Sequence, residues 1–245
     1  MRAFWAQVKL LILEHLRLPS YLVATVGFPT LFFLIFAVPE ANTEALANFL
    51  MASFLGFAIM GVMFLQFAHG LAEERNHAWH LYLRTLPIPR SSFFLSRMFV
   101  AGFMAFLTAL TLTSVAVALT PVSLLAWQWV ELYVHLFVGG LCFAAMGMAL
   151  GVWVSDKVAL PLGNMIYLPL SYAGGLWKPP QLLSDSVQKI SKYLPSRAYG
   201  ELLWDTVNGN SMNSTHYSQL GLWMAVFLVL AFVGYRRQAT VVFGG

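Results

Sequence analysis

Few side chains in this 245-residue sequence could perform acid–base, nucleophilic or metal chemistry. His77 and His80 are three positions apart, which suits two metal ligands, but no third ligand is evident near them. The single cysteine, Cys142, excludes an intrachain disulfide and is interpreted as a small packing residue. The polar residues inside the apolar stretches have no catalytic-triad or ligand spacing, which disfavours an enzyme; they are Gln66, His69, His135, Asn164 and His216.

The sequence also lacks the motifs that would supply energy for transport. No glycine-rich P-loop occurs, and no lysine follows a glycine, so the chain offers no such loop for ATP. No apolar stretch carries the paired ionisable residues expected of a proton- or sodium-driven carrier. If the protein transports a substrate actively, a separate ATPase subunit must bind the ATP and Mg²⁺. We expect no cofactor in this chain.

The composition predicts an integral membrane protein. Charged residues make up 10% of the chain, against about 25% in an ordinary soluble domain. The hydrophobic fraction is 59% and the mean hydropathy is +0.72, which a water-soluble fold cannot easily bury. Disorder, a collagen-like fibre and a disulfide scaffold are excluded because glycine, proline and cysteine are too sparse. The net charge of +4 does not by itself indicate a nucleic-acid partner, and we expect none.

Six stretches without charged residues predict six membrane-spanning helices in one all-α polytopic domain, 1–245. A spanning helix needs about 20 mainly apolar residues, and a central charge costs about 2.5–3.5 kcal/mol on insertion scales. The fourth and fifth spans are predicted to form a tight hairpin around Asp156. The predicted spans lie near residues 21–38, 49–67, 98–119, 132–154, 158–176 and 217–235.

The lysine and arginine positions predict that both termini are cytoplasmic. With this orientation ten of the 14 basic residues lie inside, and the first two outer loops carry none. The four basic residues outside are Lys178, Lys189, Lys192 and Arg197. A cleaved leader ending near Ala45-Leu46-Ala47 is the competing interpretation of the first span, but it would be much longer than the usual 15–30 residues.

Two cytoplasmic segments are predicted between or beside the spans. Residues 1–20 resemble a helix lying in the membrane interface, and they are either a plain anchor or a functional elbow. Residues 71–86 are predicted to form a short helix with Glu73 and Glu74 in its first turn, ended by Pro87 and Pro89. This second helix is either a solvated connector or an element that a soluble partner could push.

An amphipathic segment on the outer side precedes the last span, at residues 179–205. Leu183, Val187, Ile190 and Leu194 recur at helical spacing, Pro195 ends that helix, and a second short helix is expected after it. Such helices could shape an exit gate or anchor at the lipid surface. The candidate gate residues are Trp177, Pro179, Leu183, Val187 and Ile190.

In combination, these motifs resemble the permease subunits of type-2 ABC exporters. The stretch Glu73-Glu74-Arg75, Leu83 to Arg90 and Arg97 resembles the coupling-helix region of that family. The stretch from Leu168 to Leu176, with Pro179, resembles the fifth span. Val187-Gln188-Lys189-Ile190, Leu194-Pro195 and Tyr199-Gly200-Glu201 resemble the outer re-entrant helices.

The resemblance implies a transport subunit rather than an enzyme, placed in a bacterial plasma membrane. Two permeases, identical or related, would pair with two ABC ATPase subunits, which hold ATP and Mg²⁺. ATP binding would move the coupling helix, and the spans would then shift and release substrate past the outer helices. The residues expected to dock the ATPase are Glu73, Glu74, Arg75, Trp79 and Arg84.

The substrate is the least specified part of this interpretation. A cavity lined by apolar side chains would suit a lipophilic or amphiphilic molecule, and we expect export of a drug-like or natural-product-like compound. Export of a lipid-linked glycan is the next alternative, and haem or ion export stays open. A membrane-embedded enzyme and a passive channel are the rival classes; both would act without a nucleotide-hydrolysing partner.

Overall fold

The structure, a computed structural model, describes the backbone of residues 2–74, 90–210 and 214–243. It describes the side chains of residues 4–73, 94–210 and 214–237. Within these ranges the chain forms helices joined by turns, without a strand. The predicted all-α fold is therefore confirmed for the described residues.

The helices of the described residues are numbered α1 to α9 in chain order. A 3₁₀ turn, Pro180–Leu182, lies between the sixth and seventh helices. The helices are α1 (Arg2–Arg17), α2 (Pro19–Ala37), α3 (Glu44–Glu74), α4 (Arg90–Leu119), α5 (Ala126–Trp153), α6 (Asp156–Ala173), α7 (Asp185–Ser191), α8 (Pro195–Val207) and α9 (Ser214–Phe243).

Five of these helices are long and apolar enough to cross a membrane: α2, α3, α4, α5 and α9. The helix at the predicted fifth span is α6, which does not meet that standard. It begins with Asp156 and Lys157 and contains Pro161 and Pro169. The count of six spans and the side of each terminus therefore stay predictions.

The long helices extend beyond the charge-free stretches of the sequence. α3 begins at Glu44, and α4 includes Arg97. A charged side chain near a helix end can extend its polar group to the membrane surface, so a charge does not end a helix there. For this reason the absence of charge locates the apolar centre of a helix better than it locates the ends.

α3 is the central helix of the fold. In its most apolar stretch 89% of the residues are buried, against 22% in α2 and 11% in α9. α4, α5, α6 and α8 all pack against α3. A helix that is apolar on all sides is stable inside a bundle, whereas the exposed apolar faces of α2 and α9 suit contact with lipid.

α5 approaches α3 so closely that backbone touches backbone. A Cβ atom at Gly147 would lie 2.3 Å from the carbonyl oxygen of Phe64, and one at Gly151 would lie 2.5 Å from that of Ala68. The Gly-x-x-x-Gly spacing predicts such a contact but leaves its partner open. The structure assigns it to α3 of the same chain.

Small residues also position α4 against α3. Ala101, Ala105 and Ala109 recur at every fourth position, and all three are buried. Alanine lets two helix backbones come near while still filling the space between them. α1 lies across α4, with Val8 buried between them and Trp5 exposed.

The outer segment differs from its predicted form. α7 has seven residues, and of the predicted apolar stripe it contains only Val187 and Ile190. Leu183 precedes it in an extended conformation and is 4% exposed, whereas Ile190 is 62% exposed. The helix starts at Asp185, whose carboxylate suits a helix N-terminus, and Pro195 opens the next helix because its ring fits the first helical turn.

We predict that Gly147→Ala destabilises the protein by about 1–3 kcal/mol, because the added methyl group meets a backbone oxygen that cannot move aside. The matched control is Gly102→Ala in α4, where a Cβ atom would meet nothing within 4 Å. The measurement is thermal unfolding of both purified variants in the same detergent. Equal midpoints for the two variants would contradict the proposed backbone contact.

Candidate functional site

A cavity of about 1070 Å³ lies beside the second half of α3. Its walls come from α1, α2, α3, the start of α4 and α6. Ala58 and Glu73 both line it and are 15 positions apart on α3, so the cavity extends about 22 Å along that helix. The polar lining residues are Gln7, Glu14, His15, Ser20, Tyr21, Thr25, Gln66, His69, Glu73, Arg97, Asn164 and Tyr167.

The irregular backbone of α2 forms one wall. α2 contains two five-residue π-helical stretches, Val23–Gly27 and Phe33–Ala37. Pro29 has no N–H group, so the carbonyl of Thr25 loses its usual helical partner. The hydroxyl of Thr108 on α4 lies 3.5 Å from that carbonyl and donates to the nearer carbonyl of Met104 at 2.9 Å. π-helical stretches often mark functional sites.

His15 and Gln66 connect α1 to α3 at the polar end of the cavity. His15 Nδ1 lies 2.6 Å from the carbonyl oxygen of Leu11, and a carbonyl only accepts, so Nδ1 carries the proton. His15 Nε2 then accepts a hydrogen bond from Gln66 Nε2 at 3.3 Å. This assignment leaves Gln66 Oε1 buried without a hydrogen-bond partner.

A second polar group lies one turn further along α3. His69 Nε2 is 3.7 Å from a carboxylate oxygen of Glu73, and His69 Nδ1 is buried without a partner. The guanidinium of Arg97 lies against the bare face of Gly70, within the space a Cβ atom would occupy. Gln66, His69 and Glu73, together with Arg97, therefore give the cavity a hydrogen-bonding end with charges of both signs.

The other end of the cavity is mainly apolar. The phenol of Tyr167 on α6 donates to the carbonyl of Phe57 at 2.8 Å, and the two rings stack with their centroids 4.9 Å apart. Gly61 makes room for this contact, because a Cβ atom there would lie 2.6 Å from the Tyr167 oxygen. Tyr167 thus has its polar atom satisfied and offers the cavity an aromatic surface.

Of the predicted ATPase-docking residues, only Glu73 has a side chain among the described residues. Glu73 lines the cavity, and its carboxylate is close to His69. Glu74 ends α3, but its side chain is outside the described residues. Arg75, Trp79 and Arg84 also lie outside them, as do His77 and His80. Among the described residues, no group of three or more His, Cys, Asp or Glu could hold a metal ion.

The predicted outer gate residues are spread over different environments. The Trp177 indole donates to the hydroxyl of Ser171 at 2.9 Å and packs edge-on against Phe57 at 5.6 Å. Leu183 is buried, Val187 and Pro179 are half-buried, and Ile190 is exposed. Trp177 alone of these five belongs to the aromatic group around Phe57, near the apolar end of the cavity.

α8 fills the opposite end of the bundle. Its Tyr199 donates to the carbonyl of Leu136 on α5 at 2.9 Å, and its Trp204 donates to the hydroxyl of Ser53 on α3 at 2.8 Å. Burial raises the pKa of the Tyr199 phenol well above its ordinary value of 10.0, so the group stays protonated as a donor. Gln128 of α5 donates to the carbonyl of Thr206 at 2.9 Å.

The polar residues that look isolated in the sequence fall into two groups in the structure. Gln66, His69 and Asn164 share the cavity. His135 Nδ1 lies 2.7 Å from the hydroxyl of Thr206, at the far end of the bundle. Sequence reasoning missed Gln7, Glu14 and His15 of α1 as site residues. The available signal was the seven-residue spacing of Gln7 and Glu14, together with Pro19, before which the helix ends.

A bundle of apolar helices around an internal cavity with one polar end is the architecture of a membrane transport protein. The family model for the ABC-2 family transporter protein matches residues 26–233, and the chain belongs to this family. It is also 25% identical over 195 residues to a protein of Bacillus subtilis (strain 168) named "Putative transport permease YvfS", covering 80% of this chain and 79% of that protein. The chain is therefore a multi-pass protein of the bacterial cell membrane and the membrane subunit of an ABC transporter.

We predict that Tyr167→Phe lowers the free energy of unfolding by about 1 kcal/mol, because it removes the hydrogen bond between α6 and the carbonyl of Phe57. Tyr193→Phe, at an exposed position, is the control and should leave stability unchanged. Chemical denaturation followed by circular dichroism measures both. A Tyr167→Phe protein as stable as the control would show that this bond contributes nothing.

Proposed function

We propose that this chain is the permease of an ATP-driven exporter for lipophilic or amphiphilic small molecules. The cavity carries this proposal, because its polar and apolar ends match the two ends of an amphiphile. Membership of the ABC-2 family supports a system in which a partner hydrolyses ATP. Two ATPase subunits with ATP and Mg²⁺, and a second permease copy or paralogue, complete the proposed assembly.

Six spans with both termini in the cytoplasm fit this assembly best. α6 would be the additional span. Its modest hydropathy has a local cause, because Asp156 and Lys157 open the helix, and Asn164 and Tyr167 line the cavity. A polar residue inside a span normally faces the bundle or a water-filled space, as these two do. The excess of basic residues on one side favours that side as the cytoplasm.

In this orientation the cavity lies in the inner half of the membrane, with its polar end toward the C-terminal end of α3. Glu73 belongs both to the cavity wall and to the predicted docking segment. A push on that segment by an ATPase would therefore act at once on the polar end of the cavity. This closeness supports coupling through Glu73, Glu74, Arg75, Trp79 and Arg84.

The outer segment would form the exit. Trp177 packs against Phe57, which stacks on the cavity residue Tyr167, so the outer segment contacts the inner site through a short row of aromatic rings. Movement of Trp177 would open a route beside α3 toward Pro179 and Leu183. Val187 and Ile190 on α7 would then line the outer side of this route.

The decisive experiment compares transport by two tryptophan variants on adjacent residues of α2. Ala24 lines the cavity, whereas Val23 is exposed and does not. We expect Ala24→Trp to block ATP-dependent accumulation of a fluorescent amphiphile in inside-out vesicles that contain the permease and its ATPase, because the indole fills the cavity. Val23→Trp should transport normally.

Three results would overturn the proposal. Equal transport by the two variants would separate the cavity from the substrate route. ATP hydrolysis or substrate turnover by the purified chain alone would favour an enzyme, and flux without nucleotide would favour a channel. Transport of a lipid-linked glycan but not of the fluorescent probe would leave the ATP-driven exporter standing and contradict the proposed substrate.

A charge-reversal variant tests the docking segment separately. We predict that Glu74→Lys combined with Arg75→Glu abolishes stimulation of ATP hydrolysis by substrate, because both charges at the proposed contact change sign. The measurement is the ATPase rate of the complex with and without the amphiphile. The same exchange at Asp185 and Lys189 on the outer α7 is the control. Unchanged stimulation would show that the ATPase docks elsewhere.

A further inference from the structure

The polar end of the cavity has a hydrogen-bonding character that narrows the class of substrate. We propose that it binds the protonated amine of a lipophilic amine, while the apolar part of the molecule lies toward Tyr167. This inference rests on the proposed function and names the chemistry of its substrate. It is carried by Gln66 Oε1 and His69 Nδ1, the two at the cavity among four buried side-chain atoms of the described residues that lack a hydrogen-bond partner; the other two are His135 Nε2 and Ser191 Oγ.

The unpartnered atom of Gln66 can only accept a hydrogen bond. The hydrogen bond from His15 Nδ1 to the carbonyl of Leu11 places a proton on that nitrogen, so in the neutral imidazole His15 Nε2 is an acceptor. Gln66 must therefore present its amino group to His15 and its oxygen elsewhere. A buried carbonyl oxygen without a donor costs about 1–3 kcal/mol, which a ligand that donates to it would recover.

The second atom extends the same preference. When neutral His69 carries its proton on Nε2, toward the Glu73 carboxylate 3.7 Å away, its Nδ1 is an acceptor without a donor. Gln66 and His69 are three positions apart on α3 and lie on the same face of the helix. One ammonium group carries three hydrogens and could donate to both atoms.

The charges around these acceptors agree with a cationic ligand. Among the described lining residues the carboxylates are Glu14 and Glu73, and the one permanent cation is Arg97. A carboxylate or phosphate headgroup would place its lone pairs against Gln66 Oε1 and add to the negative charge. A hydroxyl group could donate a single hydrogen bond but would gain nothing from the carboxylates.

The position of the apolar wall fixes the orientation of the ligand. Ala58 is eight residues before Gln66 on α3, about 12 Å along the helix axis. Gly61, Val62 and the ring of Tyr167 lie in this interval and present little polar surface. An alkyl or aromatic group can occupy that end while the amine remains at Gln66.

The test uses four ligands with the same twelve-carbon tail: dodecylammonium, dodecyltrimethylammonium, dodecanol and dodecanoate. The full chain is placed in lipid nanodiscs, with Cys142→Ala removing the native thiol and Ser20→Cys adding one at the cavity wall. Protection of this cysteine from a maleimide reports occupancy. Ser186→Cys on the exposed face of α7 corrects for partitioning of each ligand into the lipid.

We expect dodecylammonium to protect Ser20→Cys at the lowest concentration and dodecanoate at the highest. Gln66→Leu should lower the affinity for dodecylammonium by about tenfold or more, which is the usual effect of losing a hydrogen bond to a charged donor. The same substitution should hardly change the affinity for dodecyltrimethylammonium, because this ligand has no N–H group. Gln219→Leu, outside the cavity, should change neither.

Two results would overturn the amine site. One is equal or better protection by dodecanoate, and the other is an unchanged affinity for dodecylammonium in Gln66→Leu. The ligand ranking is measured with Gln66 intact, so it decides the matter even if Gln66→Leu does not fold. The assay needs neither ATP nor an ATPase, so it separates the two proposals. Amine binding without ATP-driven transport would contradict the proposed function alone. Transport without a preference for amines would contradict the amine site alone.

Discussion

The close approach of α5 to α3 is the contact on which the rest of the structure depends. Lipid is as apolar as the helices themselves, so burial of apolar surface does not hold helices together in a membrane. Close packing does, and it requires residues that let the backbones meet. Gly147 and Gly151 provide this contact along one side of α3. With that side closed by α5, the helices that form the cavity occupy the other side.

The cavity exists because α2 does not repeat that close packing. Its π-helical stretches and Pro29 give it an irregular surface, and only 22% of the residues in its most apolar stretch are buried. α1 then covers the opening and brings His15 to Gln66. The result is a polar group that is only partly satisfied within the protein, unlike the bonds of Tyr167 or Trp204, whose polar atoms all have partners. Incomplete satisfaction is expected at a binding site and is costly anywhere else.

How far the sequence predicts this structure depends on the range of each interaction. The apolar centres of the long helices follow from the distribution of charge, and the contact made by Gly147 and Gly151 follows from their spacing. The partner of that contact does not, because any helix with small residues would serve. The cavity was missed because Gln66 and His15 are 51 positions apart and neither is unusual in its own helix. The outer helix boundaries were missed because Ser184 and Pro195 outweigh a weak apolar stripe.

The surroundings of α3 are open beside one half and tightly packed beside the other. In the proposed transport cycle, the open half would close and the packed half would open. Beside its second half lies an accessible cavity, whereas beside its first half α8 is packed tightly, with Leu203 against Gly56 and Trp204 bonded to Ser53. In the proposed export cycle, a state open on the α8 side would lose these contacts. Gly56 and Gly61 stand on either side of Phe57, which touches both Trp177 and Tyr167. In the proposed cycle a shift of the Phe57 ring would therefore change the contacts at both ends of the route, since packed side chains change between discrete arrangements and do not deform gradually.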